Sequence, residues 1–173
     1  MADREPAEVT NLDIYGNPPL TWSRVINALS VPSTENLTWF LGTVHTDGRP
    51  HAAGVGAQYI DGDIYIVSGP RTRKSRNLTA NPASTISVGL DGIDLTFEGE
   101  ARRVTDRETL ERIVAKFREG GWPAEVKGDA FTAPFSAPSA GPPPWYLYRF
   151  TFDTVFGVAG AEPHGATRWR FDT

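Results

Sequence analysis

Arg71, Arg73, Lys74 and Arg76 crowd into one short stretch of the run Ile64–Pro82, Ile-Tyr-Ile-Val-Ser-Gly-Pro-Arg-Thr-Arg-Lys-Ser-Arg-Asn-Leu-Thr-Ala-Asn-Pro. The run reads as a buried strand, a Gly-Pro break and a short helix whose first turn carries the four cations. A helix N-terminus is already electropositive, so cations are favoured at the other end. Basic side chains beside free N–H groups make local sense where an anion sits. The chemistry implied is capture of a phosphate-type group. The competing reading is a solvated basic face, the usual fate of a charge run.

A second candidate lies in His51-Ala-Ala-Gly-Val-Gly-Ala-Gln-Tyr59. Strand alternation puts His51, Ala53, Val55, Ala57 and Tyr59 on one face and Ala52, Gly54, Gly56 and Gln58 on the other. Two glycines spaced by two weaken a strand and mark either a barrel corner or close approach by another group. Beside an anion site, they suggest a flat ring with a phosphate tail. The histidines His45, His51 and His164 are too scattered for metal-ligand spacing. No nucleophile elbow, phosphate loop or dinucleotide fingerprint is present. Any chemistry is therefore expected to belong to a cofactor that the protein binds and orients.

The elements that must position these residues are mostly strands. The pairs Asp47-Gly48, Asp61-Gly62 and Asp91-Gly92 each separate apolar or alternating runs, a strong hairpin signal. They predict strands at about Leu37–His45, His51–Ile60, Asp63–Ser68, Thr85–Leu90 and Ile93–Val104, with further strands at Trp145–Thr151, Thr154–Ala159 and Thr167–Phe171. Three helices are expected. One spans Thr21–Leu29, one is the basic helix ended by Asn81-Pro82, and one is capped by Thr105 and Glu108 and stopped by Gly120-Gly121. Residues 1–19 read as a flexible arm and 20–173 as one domain. The proline-rich Phe131–Pro144 reads as a long loop, either a wall over a pocket or a surface decoration. Many antiparallel strands with a few helices predict an α+β barrel or sandwich.

Composition sets the outer limits. The chain has 173 residues, 39% of them hydrophobic, and a net charge of −4, which fits one acidic domain and no nucleic-acid or anionic-membrane partner. No apolar run approaches the roughly 20 residues that span a bilayer, and the polar start is unlike a signal peptide. Cysteine is absent, which excludes disulfides, thiol nucleophiles and Cys-ligated metals. A cytoplasmic protein is the expectation.

Four stretches together resemble one known family: Trp39-Phe-Leu-Gly-Thr-Val-His-Thr-Asp-Gly-Arg-Pro-His51, Ile64–Ser68, Arg73-Lys-Ser-Arg-Asn-Leu-Thr-Ala-Asn-Pro82 and Phe97-Glu-Gly-Glu-Ala101. They are similar to the pyridoxamine 5'-phosphate oxidase-like superfamily of flavin-binding split β-barrels. The likeness is good over Leu37–Val104. It extends more loosely to Thr167-Arg-Trp-Arg-Phe171, an ending like that of members using the deazaflavin coenzyme F-420. The resemblance implies a mainly antiparallel split β-barrel of six to eight strands with about three flanking helices, and a homodimer with sites at the interface. Arg73 and Lys74 would hold the cofactor phosphate. His51, Ala52, Ala53, Gly54, Val55 and Gly56 would line the ring with backbone groups, and Val67 and Ser68 would flank the ribityl chain.

Two departures argue against pyridoxamine phosphate oxidation itself. Asp94 stands where the oxidase usually has Gln. The C-terminal Arg-x-His that grips the substrate phosphate is missing, with Arg168-Trp-Arg170 nearby. The expected function is hydride transfer between FMN or deazaflavin F-420 and a small organic substrate. No side chain is assigned as catalytic; Tyr59 or a bound water would supply a proton. The alternatives are a carrier without turnover, binding a cofactor or holding haem through His45 or His164, and an FMN-dependent oxidase of the pyridoxamine 5'-phosphate oxidase type.

Overall fold

Asp61 and Gly62 both adopt positive φ, 53° and 90°, the backbone a two-residue hairpin turn requires. They join β4 (Ala57–Ile60) to β5 (Asp63–Ser68), while Asp47-Gly48 lies between β2 (Trp39–Val44) and β3 (Pro50–Val55). Asp91-Gly92 links β6 (Ala83–Leu90) to β7 (Ile93–Val104). A computed structural model describes residues 4–30, 37–137 and 140–172 of the chain. Part of the Phe131–Pro144 segment, residues 138 and 139, lies outside the described residues.

The barrel closes through one strand that changes partner. β3 pairs with β2, the chain breaks at Gly56, and its continuation β4 pairs with β5. β5 pairs with the first part of the long strand β10 (Tyr146–Val158), and the ring returns through β7 and β6 to β2. This is an α+β fold with a mainly antiparallel split barrel, as expected. The second part of β10 leaves β5 and pairs with β11 (Ala166–Arg170), with a register shift between Phe152 and Thr154. Two strands expected at Trp145–Thr151 and Thr154–Ala159 are therefore one, irregular at Asp153.

Three short strands escaped the alternation pattern. The arm expected over residues 1–19 contains β1 (Glu8–Asn11), paired antiparallel with β11. β8 (Glu125–Lys127) and β9 (Ala130–Thr132) form a hairpin of their own. Segments of three or four residues are too short to display a period.

The helices lie close to their expected limits. α1 (Trp22–Ser30) buries Trp22 and Val25. α2 (Arg73–Ala80) is the basic helix. In α3 (Arg107–Glu119) the cap is Asp106, not Thr105. The Asp106 carboxylate accepts the Thr109 N–H at 2.8 Å, which holds its pKa below the usual range. Leu110, Ile113, Val114 and Phe117, spaced as one stripe of the helix, are buried.

Apolar packing falls into two cores. The barrel interior joins Leu41, Ile64, Ile66, Phe97, Phe150 and Trp169 with Trp22 of α1. The second core sits outside the barrel wall, where α3 and Phe131 pack on Tyr65, Leu147 and Trp145. Phe131, Ala133 and Ala140 are buried in it. The proline-rich segment, expected as a long loop that is a pocket wall or surface decoration rather than part of the core, thus contributes to a core, because its small and aromatic side chains cover the outer barrel face.

Candidate functional site

β5 ends at Ser68, and Gly69-Pro70-Arg71 leads to Thr72, whose extended backbone (φ −69°, ψ 156°) and side chain cap α2. Thr72 Oγ1 accepts the Ser75 N–H at 3.3 Å. Arg73, Lys74 and Ser75 therefore form the first helical positions. Arg71 precedes the helix rather than lying in its first turn, because the Thr72 cap fixes the start two residues later than expected. Arg73 and Arg76 are exposed, whereas Lys74 is only 5% exposed. Burial pulls the Lys74 pKa below the ordinary ammonium range. A buried ammonium is costly, which sets Lys74 apart from the exposed Arg73 and Arg76.

α2 is pinned beneath the barrel. Asn77 Nδ2 donates to Thr43 Oγ1 at 3.0 Å, both residues being buried. Directly across from Thr43 in the β2–β3 ladder stands His51. Its ring meets His45 edge-on, with centroids 5.6 Å apart at 89°. Burial, then the charges of His45, Lys74 and Arg73, lower the His51 pKa from the usual imidazole value. The two candidate segments therefore converge: the start of β3 and the start of α2 lie within electrostatic reach and share one positive field.

The faces of the glycine strand agree with the alternation. Val55 is in the barrel core, and Ala57 and Tyr59 pack against that core. Ala52, Gly54 and Gly56 belong to the outer face, where Gly54 opposes the half-exposed Phe40. A Cβ on Gly54 would meet only Thr38 Cγ2, at 3.6 Å, and one on Gly56 would meet nothing within 4 Å. Packing among the described residues gives no reason for either glycine, which leaves a flat shelf. β3 is also the last strand of its sheet, pairing only with β2 among the described strands, so its other backbone edge is available. An apolar cleft of about 680 Å³ adjoins this strand, with Gly42, Val44, Pro50, His51 and Ala52 in its wall.

Other candidates are placed less directly. Ala53 and Val55 face inward, so only their backbone can serve a ligand at the strand edge. Val67 packs against the second core. The Ser68 hydroxyl is committed to Thr72 Oγ1 at 2.7 Å. His164 is exposed beside Glu162 in the β10–β11 connection. Arg168 binds Glu8 and Thr10 of β1, which occupies it with strand pairing. Sequence reasoning missed Thr43 and Asn77, which tie α2 to the barrel. They stand 34 positions apart, beyond any local pattern.

The split barrel matches a known class. The chain belongs to the pyridoxamine 5'-phosphate oxidase family, whose model matches residues 33–157. A search of curated proteins finds no match. Among solved structures, the fold is similar to a pyridoxamine 5'-phosphate oxidase-related, FMN-binding protein from Nostoc punctiforme, at TM-score 0.58 and 15% identity over 84% of this chain and 87% of that one. A FAD-binding protein from Mesorhizobium loti aligns at 0.52 and 20% identity, over 87% and 95%. An F-420 reductase aligns at 0.50 and 20% identity, over 75% and 93%. No helix among the described residues is long and apolar enough to cross a membrane.

Proposed function

We propose that the protein is an oxidoreductase that binds deazaflavin F-420 or FMN and moves a hydride between that cofactor and a small organic substrate, working as a homodimer. The convergence of the α2 start with the start of β3 at His51 carries this reading. A phosphate fits the first: Arg73, the buried Lys74 and the electropositive start of α2 offer charge-assisted hydrogen bonds. A planar ring fits the second, since Gly54 and Gly56 leave room that the chain does not fill. Family membership and proteins of similar fold described as FMN-binding, as FAD-binding and as an F-420 reductase point the same way.

When bound, such a cofactor supplies the hydride chemistry. The chain's part is to bind, orient and exclude water. The backbone edge of His51–Gly56 would line the ring, and the apolar cleft beside Ala52 would shield one side from solvent. Tyr59 packs toward the barrel core, so a solvent molecule is the better proton source. Arg168 is tied to Glu8 and Thr10, which disfavours a second phosphate clamp and so disfavours pyridoxamine phosphate as substrate.

The test is a visible spectrum of the purified protein, followed by titration with FMN and F-420. Binding of either cofactor is the expected result. A Soret band would favour the haem carrier, and a colourless protein that ignores both cofactors would remove the proposal.

A further inference from the structure

The outer face of the β2–β3 hairpin is apolar from end to end. Its cross-strand pairs are Phe40–Gly54, Gly42–Ala52 and Val44–Pro50. On the neighbouring β6 and β7 the same face carries Thr85, Ser87, Thr96 and Glu98. That is the polar outer side an antiparallel sheet shows to water. Phe40 is 50% exposed, and the cleft of about 680 Å³ lies against the Gly42–Ala52 and Val44–Pro50 pairs. A ring laid on Gly54 and Gly56 accounts for one end of this face and not for the other.

The chain also presents an apolar pair without cover. Ile14 and Tyr15 are 84% and 86% exposed. They ride on a loop closed by side-chain hydrogen bonds. Asp13 Oδ1 accepts the N–H groups of Tyr15 and Asn17, both at 2.8 Å, and Asp13 Oδ2 accepts Asn17 Nδ2 at 3.1 Å. Asn11 Oδ1 accepts the Asp13 N–H at 3.0 Å, and Asn11 Nδ2 donates to Asn17 O at 3.0 Å. A loop ordered before binding loses less entropy when its tip is buried. Its one charge is Asp13, which these donors keep ionised.

The cleft is charged in the opposite sense on its β3 side. His51 is in the wall, and Lys74 and Arg73 lie within electrostatic reach of it, while Glu98 stands on β7, two strands from Gly42. An apolar tip beside a carboxylate thus matches an apolar cleft beside cations. β1, which leads into the loop, and β3 end the main sheet at opposite edges, so one copy's tip suits another copy's cleft.

We propose that Ile14 and Tyr15 of a second copy of this chain fill the cleft over Val44 and Ala52, walling one side of each ring site. A two-fold dimer makes this contact twice. The proposal rests on the homodimeric cofactor reading above and names what the partner contributes: two side chains that keep water from the ring, where an open cleft admits it.

Cysteine is absent from the chain, so introduced cysteines report on their own positions alone. A short bismaleimide is applied to Ile14→Cys/Ala52→Cys and, as control, to Glu108→Cys/Ala52→Cys, Glu108 being an exposed residue of α3. Sedimentation then compares the dimers of wild type and Ile14→Asp/Tyr15→Asp, whose exposed positions spare folding. We expect covalent dimers from the first pair only, and a dimer dissociation constant raised at least about tenfold by the two aspartates. No link between chains, equal linking of the control, or an unchanged dissociation constant overturns the proposal and leaves the dimer standing. Pelleting of wild type with phosphatidylcholine vesicles, lost in the aspartate variant, would assign the pair to a lipid surface and overturn it too. A monomeric wild type that still binds FMN or F-420 overturns the proposal and the homodimer together, while the cofactor reading stands.

Discussion

At the residue scale, the charges around His51 make a specific claim about pH. No carboxylate figures among the groups that shift it; burial, His45, Lys74 and Arg73 all push the same way. The folded protein therefore releases the His51 proton more readily than the unfolded chain does. As pH falls below about 6.5 the unfolded chain takes up more protons, and stability is lost in that window. An anion at the α2 start would reverse the repulsion. Sulfate keeps its double charge throughout this range, so its stabilising effect should be larger at about pH 5.5 than at about pH 7.5. Thermal melts of wild type and His51→Gln, with and without sulfate, check this. An equal sulfate effect at both pH values, or the same pH trend in His51→Gln, would count against His51 belonging to the site. The cations themselves were legible in the sequence; the burial of Lys74 beside exposed Arg73 was not, because burial depends on strands far along the chain.

At the element scale, glycines divide into those the fold needs and those it does not. A Cβ on Gly99 would sit 2.1 Å from the Thr151 carbonyl oxygen and 2.7 Å from Phe152 Cα, where β10 shifts register. One on Gly157 would press 2.8 Å from the buried Trp169 ring. Gly99→Ala and Gly157→Ala should each cost about 1–3 kcal/mol of stability, measured by denaturant unfolding. Gly54→Ala and Gly56→Ala should leave stability unchanged or slightly improved, since glycine is a poor strand residue. Those two should instead weaken cofactor binding, read by fluorescence titration. If they destabilise the protein and spare binding, the glycine face is only a barrel corner. The Asp-Gly turns made most hairpins readable, as did the stripe on α3. The strand exchange at Gly56 was not readable, because both β3 and β4 fit one alternating pattern and only their partners differ.

At the scale of the whole molecule, apolar surface remains uncovered: Ile14 is 84% exposed, Tyr15 86%, Phe40 50% and Val158 55%. A partner copy would cover part of it, so light scattering at micromolar concentration should report a dimer. A stable monomer would contradict an interfacial site. The barrel itself was foreseen from turn spacing and resemblance, whereas the second core under α3 depended on long-range contacts of Phe131 and Trp145 that no local period displays. The most direct test of the central claim compares FMN with riboflavin, and F-420 with its phosphate-free chromophore, on wild type, Arg73→Ala, Lys74→Ala and Arg76→Ala. Charge-assisted hydrogen bonds to phosphate are worth about 1.5–3 kcal/mol, so Arg73→Ala and Lys74→Ala should each cost roughly ten- to a hundredfold in affinity for the phosphorylated ligand alone. Arg76→Ala should cost less. Equal losses for both members of a pair, or no loss for either, would mean that the basic helix is a solvated face and that no phosphate is held there.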